Sequence, residues 1–480
     1  MISLREKLQS GDSLLTMLFL AAAVVGGAVA LSPSLTVIIT LSLVGVIVSG
    51  LIVVLRPLWI LYGLVFFLPL ISGVERGKLV PMLRPNEPLL LITMVMFILS
   101  PKKIKRNIES IRIGLVIMLY LLFGSVVPLL VYFLRGGAVD YSSLMPFLAP
   151  WQYLVLYSLI IAFDVTAAQA RRCLQLLTLA GVIIALVAIL QMMRVKVVTS
   201  ILATYYYSGH LMRVEKWGYP RTTSLLANWH GTGIFLSFSV LVLLAYHVGG
   251  SRLFRSWIAG PFLVLLIAGM ITTTSITSLV VLILGVIVIL LASKGGAKRL
   301  LFFIPVLLLM TSFVFSDQIS AQLDKQFANR HSFAPKTITY RIENWHEKFL
   351  PIIENYWLFG YGPKSPEDLV GVPSEDSQFV YMLLKGGILY VIAFLLFMIS
   401  ATRRLWYFYR HATSPQVRAL FLAAVTLFVT IIPACFLQAY MTYSGVAEYL
   451  WILLGLSVAV QGKQISANRG AVIGRQRQFL

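Results

Sequence analysis

Long apolar runs recur along the chain, separated by short polar turns. They predict helices near 14–31, 34–55, 57–73, 88–100, 112–134, 151–164, 172–193, 230–247, 257–274, 276–293, 300–315, 377–400, 418–437 and 445–461. Most approach the roughly 20 residues that an α-helix needs to cross a bilayer. The segments 88–100 and 151–164 are short and read as tilted ends, half-helices or parts of longer helices that begin in the loops. The first run, Leu14 to Leu31, follows Arg5 and Lys7 as a leader peptide would, but no small-residue cleavage site opens onto a soluble domain, so it reads as a retained anchor. The pattern breaks at length between Ser316 and Ser377, where arginine, histidine and carboxylates gather in a chain otherwise poor in charge. Long loops of this kind are usually functional.

Composition agrees with a lipid-embedded chain: 59% of residues are hydrophobic and 12% charged, against about 25% charged in soluble domains. Charge then sets an orientation. With the N-terminus inside, 23 of the 39 Lys and Arg fall in cytoplasmic loops but only four of the 18 acids, Glu6, Asp12, Glu109 and Asp164. The net charge of +21 is thus mostly a positive-inside signature beside anionic headgroups, not a nucleic-acid footprint. The two cysteines, Cys173 and Cys435, fall on predicted helices and imply no disulfide. No His/Cys cluster has zinc-ligand spacing, so neither a metal nor another cofactor is expected. The expected class is an all-α polytopic integral membrane protein of about 12–14 transmembrane helices. Its expected parts are N-terminal helices over 1–315, an extracytoplasmic catalytic loop over 316–376, C-terminal helices over 377–462 and a basic cytoplasmic tail over 463–480.

Several outer arginines are not required by the positive-inside rule. Arg84 precedes Pro85-Asn86-Glu87-Pro88, where the chain must turn and a helix starts. It reads as part of a plain loop and cap, or as a cation pointing into an outward cavity. Arg135 ends an apolar helix and can snorkel to headgroups. Asp140, Tyr141, Phe147, Trp151 and Tyr153 follow, as an interfacial belt or as sugar-stacking rings. Arg221-Thr222-Thr223-Ser224 leads into a helix near Ala227, an arrangement suited either to a solvated loop or to a pyrophosphate. The hydroxyl run Thr272 to Ser278 reads first as packing or a tight turn. In the long loop, Arg341 and Trp345 lie one helical turn apart, and Phe359-Gly360-Tyr361-Gly362-Pro363 is a turn. Glu375-Asp376 sit just ahead of a helix, as caps, as a general base, or as both. Lys385 and Glu448 are ionisable groups inside apolar helices, a placement that favours a cavity-facing role or pairing.

Four of these stretches together resemble the O-antigen ligase and polymerase superfamily of GT-C-like membrane glycosyltransferases. They are Leu83 to Glu87, Arg221 to Asn228, Thr274-Ser275-Ile276-Thr277, and the series Arg341…Trp345, Asn355 to Gly362, Glu375-Asp376-Ser377 through Gly387. The last is the most specific.

The resemblance implies an enzyme that takes a glycan from an undecaprenyl-pyrophosphate donor on the outer face of the cytoplasmic membrane. It would move the glycan to an acceptor with inversion and without metal. On that analogy Arg221 and Arg341 hold pyrophosphate, with Arg84 and Arg135 as further candidates and Trp345 beside the sugar. Fixed arginines stabilise the charge that grows on the leaving group. Two departures matter. Ile276 stands where the family often has arginine, and Glu375-Asp376 where ligases have histidine. Glu375 is therefore the preferred base, then Asp376, with His346 and His331 as further loop candidates. The exchange favours a polymerase of lipid-linked repeat units in surface or exopolysaccharide biosynthesis over an O-antigen-type ligase. A transporter or flippase of lipid-linked oligosaccharide is the rival from another class, but the internal repeats common in transporters are not found. Expected partners are donor and acceptor glycans, the bilayer, and polysaccharide export and chain-length proteins.

Overall fold

The computed structural model describes residues 58–79, 84–99, 108–138, 144, 147–206, 221–293, 336–371 and 376–478. The expected spans 14–31, 34–55 and 300–315 lie outside these residues. So do Asp140, Tyr141, His331 and Glu375. By their contacts the residues fall into two units, Met1–Ile60 with Met96–Ser100, and Leu61–Val95 with Pro101–Leu480. The second holds every candidate site residue discussed below.

The described helices are α1 (Leu58–Ile71), α2 (Asn86–Leu99), α3 (Ile108–Leu121), α4 (Val127–Leu134), α5 (Trp151–Ala162), α6 (Ala167–Met192), α7 (Lys196–Tyr205), α8 (Trp229–Val248), α9 (Ser256–Thr272), α10 (Ile276–Ala292), α11 (Lys336–Asn344), α12 (Leu350–Asn355), α13 (Pro366–Val370), α14 (Gln378–His411), α15 (Pro415–Cys435) and α16 (Val446–Gln478). A π-helical turn, Leu122–Val126, joins α3 to α4, and another, Trp345–Phe349, joins α11 to α12. Among the described residues there is no strand, only a single antiparallel pairing of Val74 with Tyr206. Among the described residues, five helical stretches are long and apolar enough to cross a membrane: Arg112–Leu134, Ala167–Met192, Trp229–Val248, Gln378–His411 and Pro415–Cys435. Five shorter apolar helices accompany them. The protein is an all-α polytopic membrane protein, as its hydropathy predicts.

Local chemistry starts the helices where the pattern places them. Thr166 and Gln169 form a capping box at α6, Asn228 accepts the His230 and Gly231 amides at α8, and Ser414 accepts that of Val417 at α15. Buried along most of its length, α8 packs on α6, α9, α10, α15 and α16. Small residues permit this closeness: Ser237 Oγ bonds the Gly233 and Ser278 carbonyls, and Ser239 lies against Gly181. A second core is aromatic. Trp451 stacks on Tyr153 (3° between planes) and on Phe397 (9°), and Phe397 stacks on Tyr120, tying α16, α5, α14 and α3 together. Outward, Leu134 is 87% exposed and Leu291 83%, as lipid-facing side chains would be.

The bundle has two distinct ends. At one, Tyr409 donates to the Ala292 carbonyl, and Arg171 and Gln175 donate to that of Leu253. The other end gathers the turns after α1, α4, α6 and α9, the α11–α13 segment, the start of α14 and the α15–α16 turn. That second end carries the candidate chemistry.

Candidate functional site

The loop that resembles the family signature is held by a broken helix. Within α14, Gly387 adopts φ 66° and ψ −164°, so the helix kinks there. The kink frees backbone groups, and the turn Trp357–Tyr361 takes them up. Ile388 N donates to the Trp357 carbonyl (2.7 Å) and Tyr361 N to that of Leu384 (2.7 Å). A Cβ on Gly387 would meet the Leu358 carbonyl carbon at 2.4 Å, and one on Gly360 the Gly386 nitrogen at 2.5 Å, so both positions need glycine. The same kink faces the first π-turn, with the Phe123 carbonyl where a Gly386 Cβ would lie. Lys385 donates from inside the helix to the Pro363 and Lys364 carbonyls. This buried lysine thus pins the turn.

The arginines proposed from sequence divide between several tasks. Arg135 donates to the Gly360 carbonyl (3.0 Å) and lies over the Tyr356 ring (4.7 Å), so it braces the turn from the α4 side. Arg84 donates to Ser444 Oγ (3.2 Å), and its own amide meets Glu87, whose carboxylate pairs with Arg76 at 2.6 Å. Beside it Asn86, fully buried, donates to Glu448 Oε1 (3.0 Å) and Gln152 Oε1 (3.2 Å). Glu448, 1% exposed, also accepts the Gly445 amide. This satisfies a carboxylate inside an apolar helix and fixes the Arg84 turn onto the start of α16.

Arg221 lies with its guanidinium 5.5 Å from the Trp229 ring, half-buried. The hydroxyls after it do not cap α8; Asn228 does. Instead Thr222 pairs with Thr272 (2.8 Å), Ser224 donates to the Ile184 carbonyl, and Gln191 accepts the Thr223 and Ser224 amides. The hydroxyl turn Thr272–Ser278 is thereby joined to the Arg221 turn. Thr274 has φ 50°, and Ser275 lies 3.4 Å from the His230 ring. Ile276, at the start of α10, is exposed.

Arg341 and Asp376 come together. Arg341 Nε lies 3.7 Å from Asp376 Oδ2, both side chains mostly buried. Asp376 has φ 50°, and Ser377 is the residue at the helix cap, without a side-chain cap bond. Ser377, not Asp376, is thus the cap residue of α14. Its other oxygen, Oδ1, accepts from Gln438 Nε2 (3.1 Å), whose Oε1 accepts from Tyr443 O–H (2.9 Å). Gln378 Oε1, two residues on, accepts the Met441 amide (3.0 Å). Burial pushes the phenol of Tyr440 well above its ordinary range, neighbouring Tyr443 adds to this, and the Arg341 charge opposes it. The Tyr443 ring also borders Gly231, next to the Asn228 cap. The α15–α16 turn thus touches the Arg84, Asp376 and Asn228 segments alike.

Trp345 packs half-buried beside the apolar pair Phe349 and Leu384, while His346 is exposed on the π-turn. Gln438, Tyr443 and Ser444 escape a reading by charge and motif, because neutral polar residues at helix ends look like ordinary turns. Their only signal is polarity at the outer ends of apolar runs.

An all-α membrane bundle with arginines, a carboxylate and amides at one end can hold an anionic group. Residues 261–389 match the sequence model of the O-antigen ligase family, from within α9 to just beyond the α14 kink. The matched stretch contains the Thr272–Ser278 turn, Arg341, Trp345, the Gly360 turn and Asp376. It supports the O-antigen ligase/polymerase superfamily and an enzyme of that type in the membrane. No curated protein matches the chain.

Proposed function

We propose that this protein polymerises undecaprenyl-pyrophosphate-linked oligosaccharide units on the outer face of the bacterial cytoplasmic membrane. It acts as a metal-independent, inverting glycosyltransferase. The carrying observation is the Arg341–Asp376 pair inside the segment that matches the family. Asp376 lies one residue before Ser377, the cap residue of α14, and its Oδ1 accepts from Gln438. In this reading Asp376 takes the proton from the acceptor hydroxyl as that oxygen attacks the anomeric carbon. The bond to pyrophosphate breaks with its electrons going to the phosphate oxygen. Arg341 stabilises the charge that appears there, with Arg221 and Arg84 as further candidates. Trp345 and the neighbouring rings lie beside the sugar, and Arg135 supports the turn.

The test is cellular. Asp376→Asn keeps the shape and removes the proton acceptor, which typically costs about 10²–10⁴-fold in rate. Cells with this variant at normal membrane abundance should accumulate single lipid-linked units on the outer face. Long polymer left on the carrier would instead make the protein a ligase, and units retained on the inner face would make it a transporter. Normal polymer would remove Asp376 as the base and direct attention to Glu375, then to His346.

A further inference from the structure

We propose that Gln438 is a positioning residue for Asp376, with Tyr443 fixing the amide so that its N–H₂ faces the carboxylate. This rests on the reading of Asp376 as the base. The geometry is a chain of two hydrogen bonds: Tyr443 O–H to Gln438 Oε1 (2.9 Å) and Gln438 Nε2 to Asp376 Oδ1 (3.1 Å). Gln438 is only 6% exposed, so its amide needs both partners. An amide can present its oxygen or its nitrogen to a neighbour. Here Tyr443 supplies the hydrogen that Oε1 needs, which leaves Nε2 for Asp376. The reversed amide would set its oxygen against the carboxylate oxygen, two acceptors without a hydrogen between them.

The consequence is a division of labour between the two carboxylate oxygens. Gln438 holds Oδ1 by a hydrogen bond. Arg341 faces Oδ2 from 3.7 Å, within ion-pair range but beyond hydrogen-bond length. Gln438 also ties the α15–α16 turn to the start of α14, together with the Gln378–Met441 bond. The positive φ of Asp376 gains support from that tie. Among the described residues, the titratable and charged groups facing Asp376 are Arg341 from α11 and, through Gln438, Tyr443 from the α15–α16 turn.

Gln438→Glu is the discriminating variant. It keeps the size and places a second carboxylate beside the first, so the two compete for one proton. The probe is lipid-linked oligosaccharide extracted from cells that lack the protein, given to the full-length enzyme in nanodiscs across a pH series. The acid limb of the rate profile should move upward by about 1 pH unit or more. Tyr443→Phe, which unlocks the amide, should move it in the same direction by less. Gln438→Leu should lose rate without a change in the melting temperature that would explain it. An unchanged pH profile in Gln438→Glu beside an inactive Asp376→Asn overturns the positioning role. So does a loss in Gln438→Leu that follows the folded fraction alone. Wild-type activity in Asp376→Asn overturns instead the base reading beneath it.

Discussion

At the residue scale, similar arginines do different work, and the difference is testable. Arg341 faces a carboxylate in the matched segment, whereas Arg135 is spent on a carbonyl and a ring. Arg341→Lys keeps the charge but loses the planar fork. Polymer formation should fall on the order of 10²-fold, as when one donor to developing charge is lost, with membrane abundance unchanged. Wild-type polymer levels in that variant would rule out the clamp. Arg135→Gln should instead cost about 1–2 kcal/mol of stability from the lost hydrogen bond and cation–π contact. A lower melting temperature with normal activity per folded molecule is the expected result. An unchanged melting temperature would contradict the bracing role. The arginines stood out in the sequence because lysine and arginine are costly on the outer side. Their division of labour did not, since it depends on which turn each meets in space. Asp376 shows the same limit: its place before a helix suggests a cap, and only the fold shows it meeting Gln438 and Arg341.

At the scale of elements, the site depends on interruptions as much as on helices. The α14 kink, the Leu122–Val126 π-turn and the Trp357–Tyr361 turn meet where glycines leave no room for side chains. Gly387→Ala would need a positive φ and would strike Leu358 backbone, which cannot retreat. It should sharply lower the folded yield in membranes. Gly63→Ala, in α1 with nothing within 4 Å, is the control. It should be neutral or stabilising by up to about 1 kcal/mol. Equal yields of the two variants would contradict the tight docking. Helix positions were readable from hydropathy to within a few residues, as Leu58–Ile71 against 57–73 and Ile276–Ala292 against 276–293 show. Larger differences came where polar residues continue a helix, so α14 runs on to His411 and α16 to Gln478. The kink was not readable, because Gly386-Gly387 inside an apolar run looks like a tolerated flaw. Only the partner turn explains it.

At the scale of the molecule, part of the described basic residues lies at the end opposite the site. Arg171, Arg403, Arg410 and Arg418 belong to loops and helix ends away from Arg84, Arg341 and Asp376. Charge patterning adds an expected orientation, with that end in the cytoplasm. In a version without Cys173 and Cys435, Glu367→Cys should react with an impermeant maleimide outside intact cells, and His411→Cys should not. The reverse labelling would turn the molecule over and place the site in the cytoplasm. The central claim is catalysis of chain growth, and purified protein tests it most directly. Wild-type protein in nanodiscs, supplied only with single-unit undecaprenyl-pyrophosphate oligosaccharide, should give a ladder of longer lipid-linked products. Asp376→Asn under the same conditions should leave the single unit unconverted. A wild-type protein that forms no ladder, or an Asp376→Asn variant that forms a full one, would contradict the account.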